Sequence, residues 1–302
     1  MHMNKFFANW TLHRCQRAVE KSSADAKRWS KLYGAYADQN TTAEFIHFCR
    51  EFLQRSPDCQ EAWKFLRMAG EGQVSDAEGL EFIRDVVRQH PDCERVWTQL
   101  DMESEKLESP AEWIALCREI VSRHPNNMHA WSRLMRELKS EAKHADLVSA
   151  CLQAIRLKPD AQTWLNLADA YAAQSKFDEA ITAYEKALEL KPNFLVALNG
   201  LGCVLHTLGR YEEAVGIYLK ATRLNQGDAT PWVWLALAYL QLGQHQKTQD
   251  AIAKVQKSLP MVAEMLNAEL ESLPADTRGT EIANARITVS RLALQFPQQV
   301  SA

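Results

Sequence analysis

Apolar residues return along this chain with the spacing of a helix face, and they do so in pairs of segments. Trp164, Leu167, Ala168 and Tyr171 stand at i, i+3, i+4 and i+7, one side of a helix. After the polar turn Gln174-Ser175-Lys176, Ala180, Tyr184, Ala187 and Leu188 take up the same kind of spacing. The pattern predicts two antiparallel helices joined by a short turn. The counterpart turns Leu208-Gly209-Arg210 and Leu242-Gly243-Gln244 place glycine where a helix end favours a left-handed residue.

The pair is one copy of many. Prolines fall at Pro57, Pro91, Pro125 and Pro159, 34 residues apart, then at Pro192 and Pro260, with Gln226 in the slot between. Tryptophans follow the same period at Trp29, Trp63, Trp97, Trp131, Trp164 and Trp232, with Leu198 standing in once. Three residues after each of these comes a leucine: Leu32, Leu66, Leu100, Leu134, Leu167, Leu201 and Leu235. At a background frequency of about a tenth, seven leucines in one column is on the order of a one-in-ten-million coincidence. Each proline stops a second helix and sets the turn into the next unit. A single helix pair cannot bury its apolar faces alone, so the copies must stack. Residues 4–22 read as a leading helix, with Cys15 and Ala18 in second-helix slots. Ala285, Val289, Leu292 and Pro297 repeat second-helix spacing after a longer loop, Leu273–Thr280. The prediction is an all-α chain of about eight antiparallel helix pairs behind one leading helix.

Composition and charge narrow the function. Thirty-five Lys and Arg against thirty-eight Asp and Glu give a net charge of −3, without the basic surplus expected of a protein that neutralises many phosphates. Nucleic acid is therefore not the expected partner. Apolar runs fall short of the ~18–20 residues that a membrane span needs. No amino-terminal stretch has a signal peptide's basic start, apolar middle and small-residue cleavage site, and Met1-His2-Met3 reads as a cloning scar. Seven cysteines without C-x-x-C pairs fit a reducing compartment, and a cytoplasmic location is expected. Cys49, Cys117 and Cys151 occupy the slot held elsewhere by Ile83, Tyr184, Tyr218 and Ile252, so they are expected to be packing thiols. No H-E-x-x-H, Cys/His cluster, phosphate-binding glycine loop or G-x-S-x-G is present, and no metal, cofactor or catalytic residue is expected.

Residues 161–262 resemble tetratricopeptide repeats, whose pattern is W-x2-L-G-x2-Y, then A-x3-F-x2-A, then P. Trp164, Leu167, Ala168, Tyr171, Ala180, Tyr184, Ala187 and Pro192 match it. So do Leu198, Leu201, Gly202, Leu205, Ala214, Tyr218 and Ala221, and then Trp232, Leu235, Ala236, Tyr239, Thr248, Ile252, Val255 and Pro260. The earlier copies keep Trp, Leu and Pro but place Tyr33 with Phe45, Arg67 with Gly79, Asp101 with Trp113 and Met135 with Leu147 where the family has a small pair. Their helices are expected to be spaced or crossed differently. In this, and in Glu103 and Glu137 of the first helices, they are similar to half-a-tetratricopeptide repeats. The resemblance implies a right-handed α-solenoid superhelix of about one turn. Its parts are a capping helix at 1–23, four divergent repeats at 24–160, three near-consensus repeats at 161–262 and divergent repeat or capping helices at 263–302.

The resemblance also implies a place for function. In the family, first helices line a concave groove that holds a peptide or a partner's helix. Carried over, the groove positions are Arg95, Met102, His129, Arg133, Arg136 and Lys139, then Asn166, Asp169, Asn199, Cys203, His206, Trp234 and Leu237, running from basic through polar to apolar. Trp234 is the most suggestive of them, as an exposed aromatic anchor beside a polar row; the alternative is that it packs onto the next unit. The clamp with which some members hold acidic heat-shock protein tails needs Lys then Asn in one helix. The corresponding pairs here are Lys64/Met68, Ser132/Arg136 and Asn199/Cys203, so that clamp is not expected. The expected function is a non-enzymatic scaffold binding a protein segment. The alternatives are an RNA-processing assembly component and a specificity or regulatory module of a separate enzyme.

Overall fold

The periodic faces become helices at the predicted places. A computed structural model describes residues 2–104, 109–225, 227–256, 259–260, 263–264 and 267–268. A leading helix, α1 (His2–Lys21), is followed by seven pairs: α2 (Ala26–Ala37) with α3 (Thr42–Arg55), α4 (Gln60–Gly70) with α5 (Asp76–Gln89), α6 (Glu94–Ser104) with α7 (Pro110–Arg123), α8 (Met128–Ser140) with α9 (His144–Leu157), α10 (Ala161–Ala173) with α11 (Phe177–Leu190), α12 (Leu195–Thr207) with α13 (Tyr211–Leu224), and α14 (Ala229–Gln241) with α15 (His245–Gln256). There is no strand among the described residues. The eighth pair expected around Ala285 and Val289 lies outside them. No described helix is long and apolar enough to cross a membrane. By packing, the chain divides between Glu137 and Leu138 into two units.

The tryptophan seam explains why the repeat couples Pro to Trp at a spacing of six. In unit 1 the indole N–H of Trp63 donates to the carbonyl of Pro57 at 2.8 Å, that of Trp97 to Pro91 at 2.6 Å, and that of Trp131 to Pro125 at 2.7 Å. Trp29 makes the same bond, at 2.8 Å, to Ser23 in the equivalent slot. The ring fills the space between helices while its polar edge satisfies a turn carbonyl that has no helical partner. All four rings are buried. Trp164 follows its proline by five residues rather than six, and it is half-buried. The leucine column is buried at every position except Leu66, which is half-buried. Cys49, Cys117 and Cys151 are fully buried, as their register predicts. Burial pushes the Cys151 thiol up to about 12.

Neighbouring turns are tied to one another. Asn127, 2% exposed, donates from Nδ2 to the Pro91 carbonyl at 2.6 Å and to Asp92 Oδ1 at 2.9 Å. Its Oδ1 accepts from the Ala130 N–H at 2.7 Å in the first turn of α8. Asn127→Ala is expected to cost about 2 kcal/mol, from a lost cap and lost buried bonds. Asn127→Asp should cost at least as much, because the carboxylate would cap the helix but face the Pro91 and Asp92 oxygens as a second acceptor. Denaturant melts check both. Full tolerance of the aspartate would mean that only the cap matters.

The second helices of unit 1 are joined by a ladder of the same period. Arg50 Nη1 meets Glu78 Oε1 at 2.8 Å, and 34 residues on Arg84 Nη2 meets Glu112 Oε2 at 2.9 Å. Such exposed pairs contribute about 0–1 kcal/mol each, so they set register more than stability.

The loss of the small pair has the expected consequence. In unit 2, α10 packs closely along α11, α12 along α13, and α14 along α15. In unit 1, α4 and α5 scarcely approach, with Arg67 and Gly79 in the contact positions. The turns between paired helices behave as read. Gly209 and Gly243 have φ of +76° and +68°, and Ser175 takes the same left-handed conformation at +58°.

Candidate partner-binding face

In unit 1, the groove register falls on α6 and the first ten residues of α8. Met102 and His129 are exposed and Arg95 is half-buried. Arg133 is not available. Its side chain is 14% exposed, Nη1 is paired with Asp101 Oδ1, and Nε lies 2.9 Å from Glu137 Oε1. Its guanidinium carbon sits 3.5 Å from the centre of the Trp113 ring. Arg133 is therefore a packing residue. It covers the aromatic ring that stands where the family has a small residue, and a cation over an indole face is stabilised by the ring's quadrupole. That contact was legible only as a need: a tryptophan in the small-residue slot has to be covered. Arg136 is exposed, and its Nη2 reaches the same Asp101 oxygen at 3.3 Å. The expected basic stretch of the groove is thus largely neutralised from within by Asp101 and Glu137.

In unit 2 the register brings polar groups together on α10 and α12. Lys139 Nζ lies 2.6 Å from Asp169 Oδ2, and the Tyr184 hydroxyl donates to Asp169 Oδ1 at 2.7 Å. Gln162 donates to Asn166 Oδ1 at 3.3 Å. Asn199 is half-buried, and its Oδ1 is buried with no hydrogen-bond partner. Tyr218 donates to Cys203 Sγ at 3.7 Å. Burial raises the Cys203 thiol to about 11, with the Tyr218 hydrogen bond pulling the other way. Burial likewise pushes the Tyr184 hydroxyl up, and the Asp169 carboxylate adds to the rise.

The tyrosines are the part that register alone missed. Tyr184 and Tyr218 are second-helix core positions, yet their hydroxyls reach groove-register residues of the first helices, Asp169 and Cys203. The sequence held one signal for this. Gly200 and Gly202 lie within α12, and a Cβ there would fall 2.6 Å from Tyr184 Cε1 and 2.4 Å from Tyr218 Cε1 respectively. Glycine lets each ring pass against the helix backbone.

The apolar end of the predicted face is not open. Trp234 is 9% exposed rather than an exposed anchor. Its ring stacks on Tyr218 with centroids 6.4 Å apart and planes at 13°, and it meets His206 edge-on at 6.0 Å. His206 and Leu237 are buried as well. An indole next to two aromatic rings is satisfied by packing, which is why a register slot alone could not decide its exposure. Among the described residues, no group of three or more His, Cys, Asp or Glu is placed to hold a metal ion.

Comparison with known proteins agrees with this architecture. The tetratricopeptide repeat family matches residues 161–194 and 183–216, and a second TPR repeat family matches 202–243. The anaphase-promoting complex subunit cut9 of Schizosaccharomyces pombe is 31% identical over 83 residues, 28% of this chain and 12% of that protein. Protein O-mannosyl-transferase TMTC3 of Mus musculus is 32% identical over 91 residues, 30% of this chain and 10% of that protein. The peroxisomal targeting signal receptor of Candida albicans is 35% identical over 81 residues, covering 26% and 14%. The matched segments thus span only about a tenth of the length of these relatives. The crystal structure of YrrB, described as a TPR protein with an unusual peptide-binding site, superposes with a TM-score of 0.51 at 14% identity, over 63% of this chain and 99% of that one. At that identity the likeness is one of fold, the stacked helix pairs of a solenoid. The three matches lie within residues 161–243, and that part of the chain, α10 to α14, consists of tetratricopeptide repeats.

Proposed function

We propose that the chain is a non-catalytic interaction scaffold that captures an extended or helical segment of a protein partner along the polar face of α10 and α12. The observation that carries this reading is Asn199. Its buried carbonyl oxygen lacks a donor, while Lys139, Asn166 and Asp169 hold the neighbouring register positions. A side-chain amide next to another amide and a carboxylate can grip the N–H and C=O groups of a peptide backbone without demanding a particular side chain. Met102, His129, Arg95 and Arg136 of unit 1 are a separate candidate face. Two of the relatives are named as a complex subunit and a targeting-signal receptor, which supports a protein rather than a small molecule as the bound partner. Seven free thiols suit a reducing compartment such as the cytoplasm.

The test is selection of peptides from a displayed library on the full chain, followed by titration against the Asn166→Ala/Asn199→Ala double variant. Loss of two amide contacts should weaken binding by about 2 kcal/mol, roughly thirtyfold. The melting profile should stay unchanged, since Asn199→Ala also removes an unsatisfied buried oxygen. Selected peptides that bind wild type and double variant equally would refute this placement. Selection of nothing, together with salt-sensitive RNA retention, would favour the RNA-assembly alternative.

A further inference from the structure

The three close hairpins of unit 2 put small residues where their helices touch: Ala168 with Ala180, Gly202 with Ala214, and Ala236 with Thr248. In the α4–α5 hairpin of unit 1 the same positions hold Arg67 and Gly79, and Gly70 stands where other repeats have Tyr171 or Tyr239. Arg67 reaches away to Gln99 of α6, and the two glycines leave the gap between α4 and α5 unfilled. A cavity of about 290 Å³ results, and a Cβ at Gly79 would meet nothing within 4 Å. Its apolar lining includes Trp63, Leu66, Phe82 and Ile83. This explains why Leu66 alone in its column is only half-buried.

The same cavity is lined by Arg50 and Arg67, with Glu71 and Asp76 also bordering it. Arg67 Nη2 donates to Gln99 at 3.0 Å. Arg50 spends Nη1 on Glu78 at 2.8 Å and lies over the Phe82 ring at 5.4 Å. Its Nε, however, is buried with no hydrogen-bond partner. A buried guanidinium N–H without an acceptor is a costly arrangement, and an ionised acceptor would answer it more strongly than a neutral one. The volume is at the small end of ligand pockets, enough for one ring or branched chain. Single apolar groups next to a carboxylate meet both requirements.

We infer that the cleft between α4 and α5 is a binding site for a small apolar carboxylate, such as the carboxy-terminal residue of a peptide or a free arylalkanoic acid. The acid sits at Arg50 and the apolar group against Trp63, Phe82 and Ile83. This site lies within unit 1, where Arg50 of α3 meets the α4–α5 hairpin, and is independent of the proposed face on α10 and α12.

Calorimetric titration of the full chain with 3-phenylpropionate, with its amide, and with a short peptide ending in phenylalanine as free acid or amide tests it. The free acids should bind about tenfold more tightly than the amides, the difference between charge-assisted and neutral hydrogen bonds. Arg50→Gln should abolish that preference. Gly79→Leu, which fills open space, should raise the melting temperature and remove binding, and Gly70→Leu does the same from the opposite wall. Binding of the peptide acid but not of 3-phenylpropionate identifies a chain terminus as the ligand, and the reverse identifies a free acid. Equal binding of acids and amides, binding that survives both leucine variants, or no binding at about 10 mM probe would each overturn the assignment.

Discussion

Trp29→Ala is expected to lower stability by about 5 kcal/mol, the upper end of what removal of a buried tryptophan costs. Trp29 is fully buried, and three phenylalanine rings surround it. Phe52 stands edge-on at 5.3 Å, Phe65 is stacked at 6.1 Å, and Phe48 is tilted at 6.2 Å. These rings come from α3 and from α4 of the next repeat, so the cavity would open between repeats as well as within one. Loss of the indole N–H also takes one donor from the Ser23 carbonyl, leaving it the Cys59 thiol at 3.4 Å. Trp29→Phe separates the two contributions. It keeps most of the apolar area and forfeits the hydrogen bond, so a loss of about 1–2 kcal/mol is expected. In a stack of repeats stability is a sum of local and nearest-neighbour contributions. Urea unfolding of Trp29→Ala should therefore shift the transition of the amino-terminal repeats and leave that of the later repeats in place. A midpoint unchanged within about 0.5 kcal/mol would show that the seam does not hold the stack.

How much of this was legible in the sequence depends on the distance over which each feature is decided. The helices, their turns and the stacking period follow from side chains repeating on one face, a local property that tertiary context reinforced at every copy. The divergent contact pairs also announced their effect, because Arg67 opposite Gly79 cannot pack as Ala168 does opposite Ala180. Exposure at the groove was another matter. Whether Trp234 faces solvent depends on Tyr218 and His206, and whether Arg133 can meet a partner depends on Asp101, Glu137 and Trp113. Register names the face on which a side chain starts, not which neighbour reaches it first. The indole-to-carbonyl bond sits between these cases: its six-residue spacing is written in the chain, but its reason is visible only once the proline carbonyl is seen to lack a helical partner.

The strongest test of close packing in unit 2 is a gain of one methyl group. Gly202→Ala should favour the helix by about 1 kcal/mol if only backbone propensity counted. The added Cβ would lie 2.4 Å from Cε1 and 2.7 Å from Cζ of Tyr218, distances at which something must move. Tyr218 is fully buried and stacked on Trp234, so its ring has nowhere to retreat and the helices themselves must part. Overpacking of this kind costs about 1–3 kcal/mol and occasionally more, which outweighs the propensity gain. A net loss of about 2 kcal/mol is expected for Gly202→Ala and about 4 kcal/mol for Gly202→Val, which adds branched carbons in the same place. Gly79→Ala in α5 supplies the control: its Cβ meets open space, so only the propensity acts, and stability should rise by about 0.5–1 kcal/mol. A double-mutant cycle assigns the cause. If the clash is with the tyrosine ring, Gly202→Ala in a Tyr218→Leu background should lose far less than in wild type, a coupling of about 2 kcal/mol. Additive losses would place the strain elsewhere in α12, and a stabilised Gly202→Ala would mean that α12 and α13 are not held as closely as their register requires.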